Sequence, residues 1–116
     1  MNGEGCWKCK ESKGEKIIGK FLINNHIKYE RQYKFNNCRN IIPLSFDFYL
    51  SNYNTCVEFD GIQHFKSIEY WGGIKNLNYI KKCDKIKNDY CKNNNIKLIR
   101  IRYNENIIDK LKNIFA

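Results

Sequence analysis

Apolar and polar residues recur with two different periods along the chain, and each change of period marks a predicted element. Positions 17, 18, 21 and 22 are all apolar, which is the spacing of one helical face, and Ser12 precedes them as a candidate N-cap. Helical spacing returns over residues 77–93 and 106–115. Alternating apolar and polar residues, typical of strands, occupy residues 29–35, 44–50, 55–60 and 96–103. The predicted order is therefore α-β-β-β-α-β-α.

Short polar segments separate these elements. Residues 51–54 are predicted to form a tight turn, so the second and third strands should make a hairpin. Residues 36–40 and the aromatic, glycine-containing segment 66–76 are predicted to be loops. The pattern predicts one α/β (α+β) domain over residues 12–116, a small mixed sheet flanked by helices. A short N-terminal segment, residues 1–11, precedes it and contains one Cys-x-x-Cys motif.

Composition adds a candidate partner. The 116 residues include 21 Lys and Arg against 12 Asp and Glu, a net charge of +9, and 42% are hydrophobic, which suffices for a core. Such a basic surface favours a nucleic-acid partner, although it is also compatible with a charge that only serves solubility. No apolar run approaches the ~20 residues of a membrane span, and no secretory segment follows Met1. The six cysteines are therefore expected to be reduced, in an intracellular protein that is not secreted.

Three acidic residues in the predicted hairpin are the clearest candidates for chemistry. Glu58 and Asp60 share one face of their strand, about 7 Å apart, and the hairpin is expected to bring Asp47 beside them. Clustered carboxylates repel one another unless a cation neutralises them, and Mg²⁺ or Mn²⁺ prefers such oxygen ligands. A metal held in this way can activate water against a phosphodiester. The plainer interpretation is a solvated sheet face whose acids pair with lysines.

The residues around this cluster resemble a known family. The segments SKGE, FDFYL, EFDGIQHF and CDKIKNDYCKNNNIKLIRI, in this order of elements, resemble the PD-(D/E)xK nuclease superfamily over residues 12–103. The most similar branch contains the very-short-patch repair endonucleases and phage-type homing endonucleases. The resemblance implies a restriction-endonuclease-like αβββαβ core and Mg²⁺-dependent cleavage of DNA. It also implies a protein of a bacterial cytoplasm or one encoded by a phage.

Individual positions carry over from this resemblance with one departure. Asp47 matches the family's first metal-binding aspartate, and Glu58 matches the acidic residue of the (D/E)xK element. Asp60 stands where that element has its lysine. The resemblance therefore implies metal binding by Asp47 and Glu58, with Asp60 as a further candidate ligand, but it leaves lysine-assisted activation of water without its usual residue.

Several residues are candidates for that missing role. Gln63 or His64 is placed to orient or deprotonate water, and His64 is alternatively a structural hydrogen-bonding residue. Lys85 or Lys87, on the predicted second helix, is placed to reach the scissile phosphate. Glu15, on the first helix, is a candidate additional metal ligand, or else only a member of a capping box with the N-cap residue.

Basic and aromatic residues outside the acidic cluster predict a nucleic-acid surface. Lysine and arginine bind phosphates and aromatic rings stack on bases, so cations that flank exposed aromatic residues suit a nucleic-acid groove. Trp71 is a candidate for stacking, or else packs over the core beneath its loop. The predicted nucleic-acid-binding residues are Lys66, Trp71, Lys85, Lys87, Arg100 and Arg102.

The N-terminal Cys6 and Cys9 supply half of a zinc site, because a tetrahedral structural zinc needs four ligands. Three outcomes are open from the sequence: no metal, zinc shared between two chains, or zinc completed by a distant cysteine such as Cys38. Sharing between two chains would give a zinc-linked homodimer.

The sequence thus predicts an endodeoxyribonuclease that uses Mg²⁺ or Mn²⁺ bound by Asp47, Glu58 and Asp60. One such site cuts one strand, so a double-strand break would need a dimer or two successive nicks. The alternative is a catalytically inert nucleic-acid-binding domain on the same fold, which the missing lysine favours. Metal binding at the carboxylates distinguishes the two.

Overall fold

The computed structural model describes residues 12–40, 42–62 and 73–115, and within them the predicted order of elements is confirmed. The elements are α1 (Lys13–Asn24), β1 (Glu30–Arg39), β2 (Pro43–Leu50), β3 (Thr55–Asp60), α2 (Gly73–Asn93), β4 (Lys97–Arg102) and α3 (Ile107–Phe115). The turn between β2 and β3 is a single 3-10 turn, Ser51–Tyr53, followed by Asn54 in the left-handed region at φ 48°.

The four strands form one mixed sheet in the order β1-β2-β3-β4. The first two pairs are antiparallel, which confirms the predicted hairpin, whereas β3 and β4 are parallel. Parallel neighbours need a crossover connection, and α2 supplies it. The structure is therefore α+β, with a mixed sheet and helices on it as the sequence predicts.

The core consists of two clusters, one on each face of the sheet. On the first face α1 and α3 pack together, and the α1-side cluster comprises Ile18, Phe21, Leu22, Ile27, Phe48, Leu50, Val57, Ile99, Ile101 and Leu111. On the second face α2 covers the α2-side cluster, which comprises Cys38, Leu44, Phe46, Cys56, Cys83 and Cys91. The result is three layers with the sheet in the middle. No helix within the described ranges is long and apolar enough to cross a membrane.

The start of α1 follows from two local features. The Ser12 hydroxyl accepts a hydrogen bond from the Glu15 backbone N–H at 3.1 Å, which confirms the predicted N-cap. Gly14 lies directly against the ring of Phe59, where a methyl group would overlap that ring. Glycine at this position therefore lets the first turn of α1 approach β3 closely.

Two predicted boundaries are wrong, and strand β2 departs from regular alternation. Strand β1 continues through most of the predicted loop at residues 36–40, because Cys38 is buried at 1% exposure in the α2-side cluster and holds the chain against the sheet. Helix α2 begins at Gly73, four residues earlier than predicted. Strict alternation would place Phe46 and Phe48 on one face, yet Phe46 belongs to the α2-side cluster and Phe48 to the α1-side cluster.

Candidate active site at the end of the β2–β3 ladder

Strands β2 and β3 stop pairing in the middle of β2, and two carboxylates replace their backbone ladder. The last regular pair toward this end is Phe48 with Val57. Beyond it the Asp47 backbone N–H donates to Glu58 Oε2 at 2.6 Å, and the Phe59 backbone N–H donates to Asp47 Oδ2 at 2.8 Å. Each carboxylate thus accepts a hydrogen bond from the backbone of the opposite strand. These two bonds hold both carboxylates in the gap between the strands.

Glu58 is buried and is paired with a lysine from the opposite layer. Its exposure is 3%, and its Oε1 accepts a hydrogen bond from Lys87 Nζ at 2.8 Å. Lys87 comes from α2, and its Nζ lies 5.5 Å from the centroid of the Phe46 ring. The structure therefore pairs Glu58 with a lysine from helix α2 and not with a residue of its own strand.

Arg31 approaches the same acids from β1. Its Nη2 donates to Glu15 Oε1 at 2.8 Å, and its Nε donates to the backbone carbonyl of Asp47 at 3.0 Å. The Glu15 side chain therefore faces the acidic site, while its backbone N–H is capped by Ser12. Sequence reasoning missed Arg31, because only its position opposite Phe48 on the neighbouring strand reveals its proximity to the acids.

The electrostatics of this group show an excess of negative charge. Burial raises the pKa of Asp47 well above its usual value, and the charges of Glu58 and Glu15 raise it further. Burial and Glu58 likewise raise the pKa of Glu15, against a smaller lowering by the Ser12 hydroxyl. Among the described residues, three carboxylates here face two cations, Arg31 and Lys87. The site therefore favours an additional positive charge, either a proton on Asp47 or a bound cation.

Lys87 stays charged in this setting. Burial by itself would lower the pKa of its ammonium group, but the charge and hydrogen bond of Glu58 and the charges of Asp47 and Asp84 raise it above the usual value overall. A lysine with a raised pKa is protonated at neutral pH. Lys87 is therefore suited to bind an anionic oxygen.

Asp60 is paired with a cation from β4. Although Glu58 and Asp60 do share one face of β3, Asp60 Oδ1 forms an ion pair with Arg100 Nη1 at 2.7 Å. Arg100 also pairs with Asp84 at 3.6 Å. The described contacts thus tie Asp60 to Arg100, and metal binding by Asp60 together with Asp47 and Glu58 stays a prediction. In the part of the chain that the structure describes, no three His, Cys, Asp or Glu side chains form a group that could hold a metal ion.

The predicted nucleic-acid-binding residues separate into different environments. Lys87 and Arg100 have side chains only 14% and 20% exposed, and both are held in the ion pairs just described. Lys85 is 76% exposed and pairs with Asp89 at 3.0 Å on the solvent side of α2. Arg102 is exposed at the end of β4. Lys66 and Trp71, like the proton-transfer candidates Gln63 and His64, lie outside the described residues.

The zinc candidates Cys6 and Cys9 also lie outside the described residues. Cys38, the suggested distant ligand, is 1% exposed, and burial together with Cys91 raises the pKa of its thiol to about 11. Zinc binding by Cys6 and Cys9, alone or with a distant cysteine, stays a prediction. Cys56 is fully buried in the same cluster, as expected of a core cysteine.

Asp47 keeps one carboxylate oxygen available. Asp47 Oδ2 is bound to the Phe59 N–H, whereas no described residue donates a hydrogen bond to Oδ1. Mg²⁺ in proteins is commonly held by one or two carboxylates, with water and phosphate oxygens in its other positions. The pair Asp47 and Glu58, with Glu15 nearby, fits that ligand requirement in number and type.

Comparisons of this chain with protein-family models, with curated proteins and with solved structures find no match. The function of the site has to be argued from its own residues.

Proposed function

We propose that this protein is a metal-dependent endonuclease that hydrolyses phosphodiester bonds of DNA, with Asp47 and Glu58 as the residues that hold Mg²⁺ or Mn²⁺. The observation that carries the proposal lies at the end of the β2–β3 ladder. There the Asp47 and Glu58 carboxylates each accept a hydrogen bond from a backbone N–H of the neighbouring strand, and the charged Lys87 binds Glu58. The resemblance of the surrounding segments to PD-(D/E)xK nucleases points to the same reaction.

The proposed role of each residue follows from its hydrogen bonds in the site. When bound, the metal would lower the pKa of a water molecule and stabilise negative charge on the phosphate. Asp47 would bind it through Oδ1, since Oδ2 is engaged by Phe59. Glu58 would contribute an oxygen by exchanging its bond to the Asp47 N–H or to Lys87. Arg31, which binds both Glu15 and the Asp47 carbonyl, would keep the acids in place.

We propose that Lys87 performs the role that the lysine of the (D/E)xK element has in PD-(D/E)xK nucleases. Its ammonium group lies 2.8 Å from the Glu58 carboxylate and stays protonated, so it would bind the negative charge that develops on the attacked phosphate. It would not remove the proton from water. Gln63 and His64 remain the candidates for positioning and deprotonating that water, as the sequence predicts.

The surroundings of the site suit a polyanion. Helix α1, which contributes Glu15, also has three exposed lysines at helical spacing, Lys13, Lys16 and Lys20. Helix α2, which contributes Lys87, has five more, Lys75, Lys81, Lys82, Lys85 and Lys92. We propose that these exposed cations bind phosphates of the DNA backbone along the two helices that also contribute residues to the site.

A second candidate function is a nucleic-acid-binding domain without catalysis. Both oxygens of Glu58 are already bound within the chain, one to the Asp47 N–H and one to Lys87. A domain in which these contacts are permanent would use them for stability alone. Divalent-metal binding separates the two candidates, because a nuclease of this type needs the metal and a binding domain does not.

The experiment is a titration of the protein with Mn²⁺, followed by NMR. We expect the amide signals of Asp47 and Phe59 to broaden first, at one site, because paramagnetic relaxation falls steeply with distance. The Glu58→Gln variant should lose this broadening, and the matched Asp109→Asn variant, changed at an exposed acid on α3, should keep it. Unchanged Asp47 and Phe59 signals, with DNA binding intact in EDTA, would favour the inert domain.

A further inference from the structure

One residue in the middle of β1 has an unusual backbone conformation. Gln32 lies at φ 49°, in the left-handed region that glycine and asparagine adopt more readily than other residues. The other three non-glycine residues with positive φ in the described chain lie in turns after a helix or strand, where this conformation is common; they are His26, Asn54 and Asn95. Gln32 is the one that interrupts a strand.

The strand turns over at Gln32. Arg31 lies over the ring of Phe48, 4.4 Å from its centroid, on the α1 side of the sheet. Tyr33 stacks on Tyr49, with ring centroids 4.7 Å apart, on the α2 side. Residues two apart in a regular strand point to the same face. The left-handed residue between them therefore exchanges the two faces of β1.

Strand β2 turns over at the same point. Arg31 pairs with Phe48 and Tyr33 with Phe46, so the register is unchanged across Gln32 and the residue opposite it is Asp47. Phe48 belongs to the α1-side cluster and Phe46 to the α2-side cluster. Because the register is kept, the two strands turn over as a pair, and Asp47 is the residue at which β2 does so.

Strand β3 does not follow this turn. It continues in regular parallel pairing with β4 from Thr55 as far as Asp60. Since β2 turns over and β3 does not, their ladder stops at Phe48 and Val57, and the next two backbone N–H groups are left to the Asp47 and Glu58 carboxylates. The turn at Gln32 is thus directly linked to the gap that holds the acids.

We propose that the left-handed backbone conformation of Gln32 is the positioning device for Asp47, turning β2 away from β3 so that the Asp47 and Glu58 carboxylates lie in the gap between them. The side-chain hydrogen bond of Gln32 is with Ser45 and not with either acid, so Gln32 acts through the strand pair. The geometric part of this inference holds whatever the site does, and its consequence for cleavage rests on the proposed function.

The side chain of Gln32 offers a competing explanation. Its Oε1 accepts a hydrogen bond from Ser45 Oγ at 3.0 Å, in an exposed position. If that bond held the turn, every substitution that removes the amide would act alike. If the backbone angle holds the turn, the Tm values of the variants should instead follow how readily each new residue adopts a positive φ.

Four substitutions distinguish these explanations: Gln32→Gly, Gln32→Asn, Gln32→Ala and Gln32→Val. Glycine and asparagine adopt positive φ most readily and a β-branched residue resists it most. We expect Tm to be equal or higher in Gln32→Gly, close to wild type in Gln32→Asn, lower in Gln32→Ala and lowest in Gln32→Val. Lys34→Val is the matched control, because Lys34 is an exposed residue of the same strand without a positive φ, and it should change Tm little.

Amide hydrogen exchange tests the positioning role itself. The Asp47 and Phe59 N–H groups are bound by the two carboxylates, so their exchange reports the gap locally. Relative to the amides of β4, we expect both to remain protected in Gln32→Gly and to exchange roughly 10-fold faster or more in Gln32→Ala, a change set by the lost local bonds. A purely structural role would shift β4 amides equally.

Two results would overturn the inference. The first is equal behaviour of Gln32→Gly and Gln32→Ala in Tm and in exchange, which would assign any effect to the side chain. The second is protection of Asp47 and Phe59 that is unchanged in a folded Gln32→Val variant. If Gln32→Val does not fold, the Tm values and amide exchange of Gln32→Gly and Gln32→Ala still distinguish the backbone explanation from the side-chain explanation. Since exchange needs no substrate, an inactive wild-type protein would reject the proposed nuclease without affecting this test.

Discussion

Lys87→Met is expected to lower the free energy of unfolding by about 3–5 kcal/mol, the usual cost of leaving a buried charge without its partner. Glu58 is 3% exposed, and its Oε1 depends on Lys87 Nζ at 2.8 Å. Methionine retains much of the aliphatic length and provides no cation, so the buried Glu58 carboxylate loses its ion-pair partner. A domain of this size is typically stable by only about 5–15 kcal/mol, so the loss should be obvious in urea unfolding.

Lys85→Met is the matched control for this measurement. Lys85 lies on the same helix and also binds an acid, Asp89, at 3.0 Å, but its side chain is 76% exposed. An exposed pair at this helical spacing contributes about 0.3–0.5 kcal/mol. The double variant Lys87→Met/Glu58→Gln should recover most of the loss, because it removes the stranded charge. Equal effects of Lys87→Met and Lys85→Met would contradict the buried ion pair.

Asp47→Asn is expected to move stability and activity in opposite directions. Asparagine still offers an oxygen to the Phe59 N–H and removes a carboxylate that is crowded by Glu58 and Glu15. We therefore expect Tm at pH 8 to rise by roughly 3–8 °C, the shift that 1 kcal/mol produces in a small domain. Cleavage should fall roughly 10²–10³-fold, since a metal ligand contributes several kcal/mol to the transition state.

The pH dependence of the stability gain follows from the direction of the pKa shift. Burial and the charges of Glu58 and Glu15 raise the pKa of Asp47 in the folded protein. Its protonated form is therefore favoured by folding, and this contribution is complete below the unfolded pKa of about 3.9 and lost as pH rises through the folded pKa. The difference in Tm between Asp47→Asn and wild type should be small at pH 3.5 and grow toward pH 8.

The control for Asp47→Asn is Asp89→Asn, which changes an exposed acid on α2. That variant should show neither the gain at pH 8 nor the loss of cleavage. A lower Tm for Asp47→Asn at pH 8 would contradict the description of Asp47 as a destabilised carboxylate.

Much of the fold could be predicted because its elements have clear periods. The apolar face of α1, the alternation in β3 and the short turn after β2 are properties of neighbouring residues, which a sequence displays directly. The extension of β1 was not visible, because it depends on the burial of Cys38 against α2. The turn-over of β1 and β2 was not visible either, since a glutamine at positive φ has no sequence signature.

The candidate site could be predicted only in part, because it depends on packing between distant segments as well as on spacing along the chain. Spacing identified Asp47 and Glu58 as neighbours, but the partner of each acid depends on packing between distant segments. Lys85 and Lys87 are about 200° apart around their helix, so only one can face the sheet, and the docking of α2 selects Lys87. The ion pair of Asp60 with Arg100 could not be predicted either, because it depends on how β4 packs beside β3.

Cleavage of DNA tests the central claim most directly. Supercoiled plasmid and a pool of random-sequence duplexes would be incubated with wild type, Asp47→Asn, Glu58→Gln and Asp89→Asn, in Mg²⁺, Mn²⁺ or EDTA. The account predicts metal-dependent nicking by wild type and Asp89→Asn, none in EDTA, and strong loss in the other two variants. The account would be contradicted if wild type cleaved neither substrate. It would also be contradicted if both Asp47→Asn and Glu58→Gln still cleaved DNA.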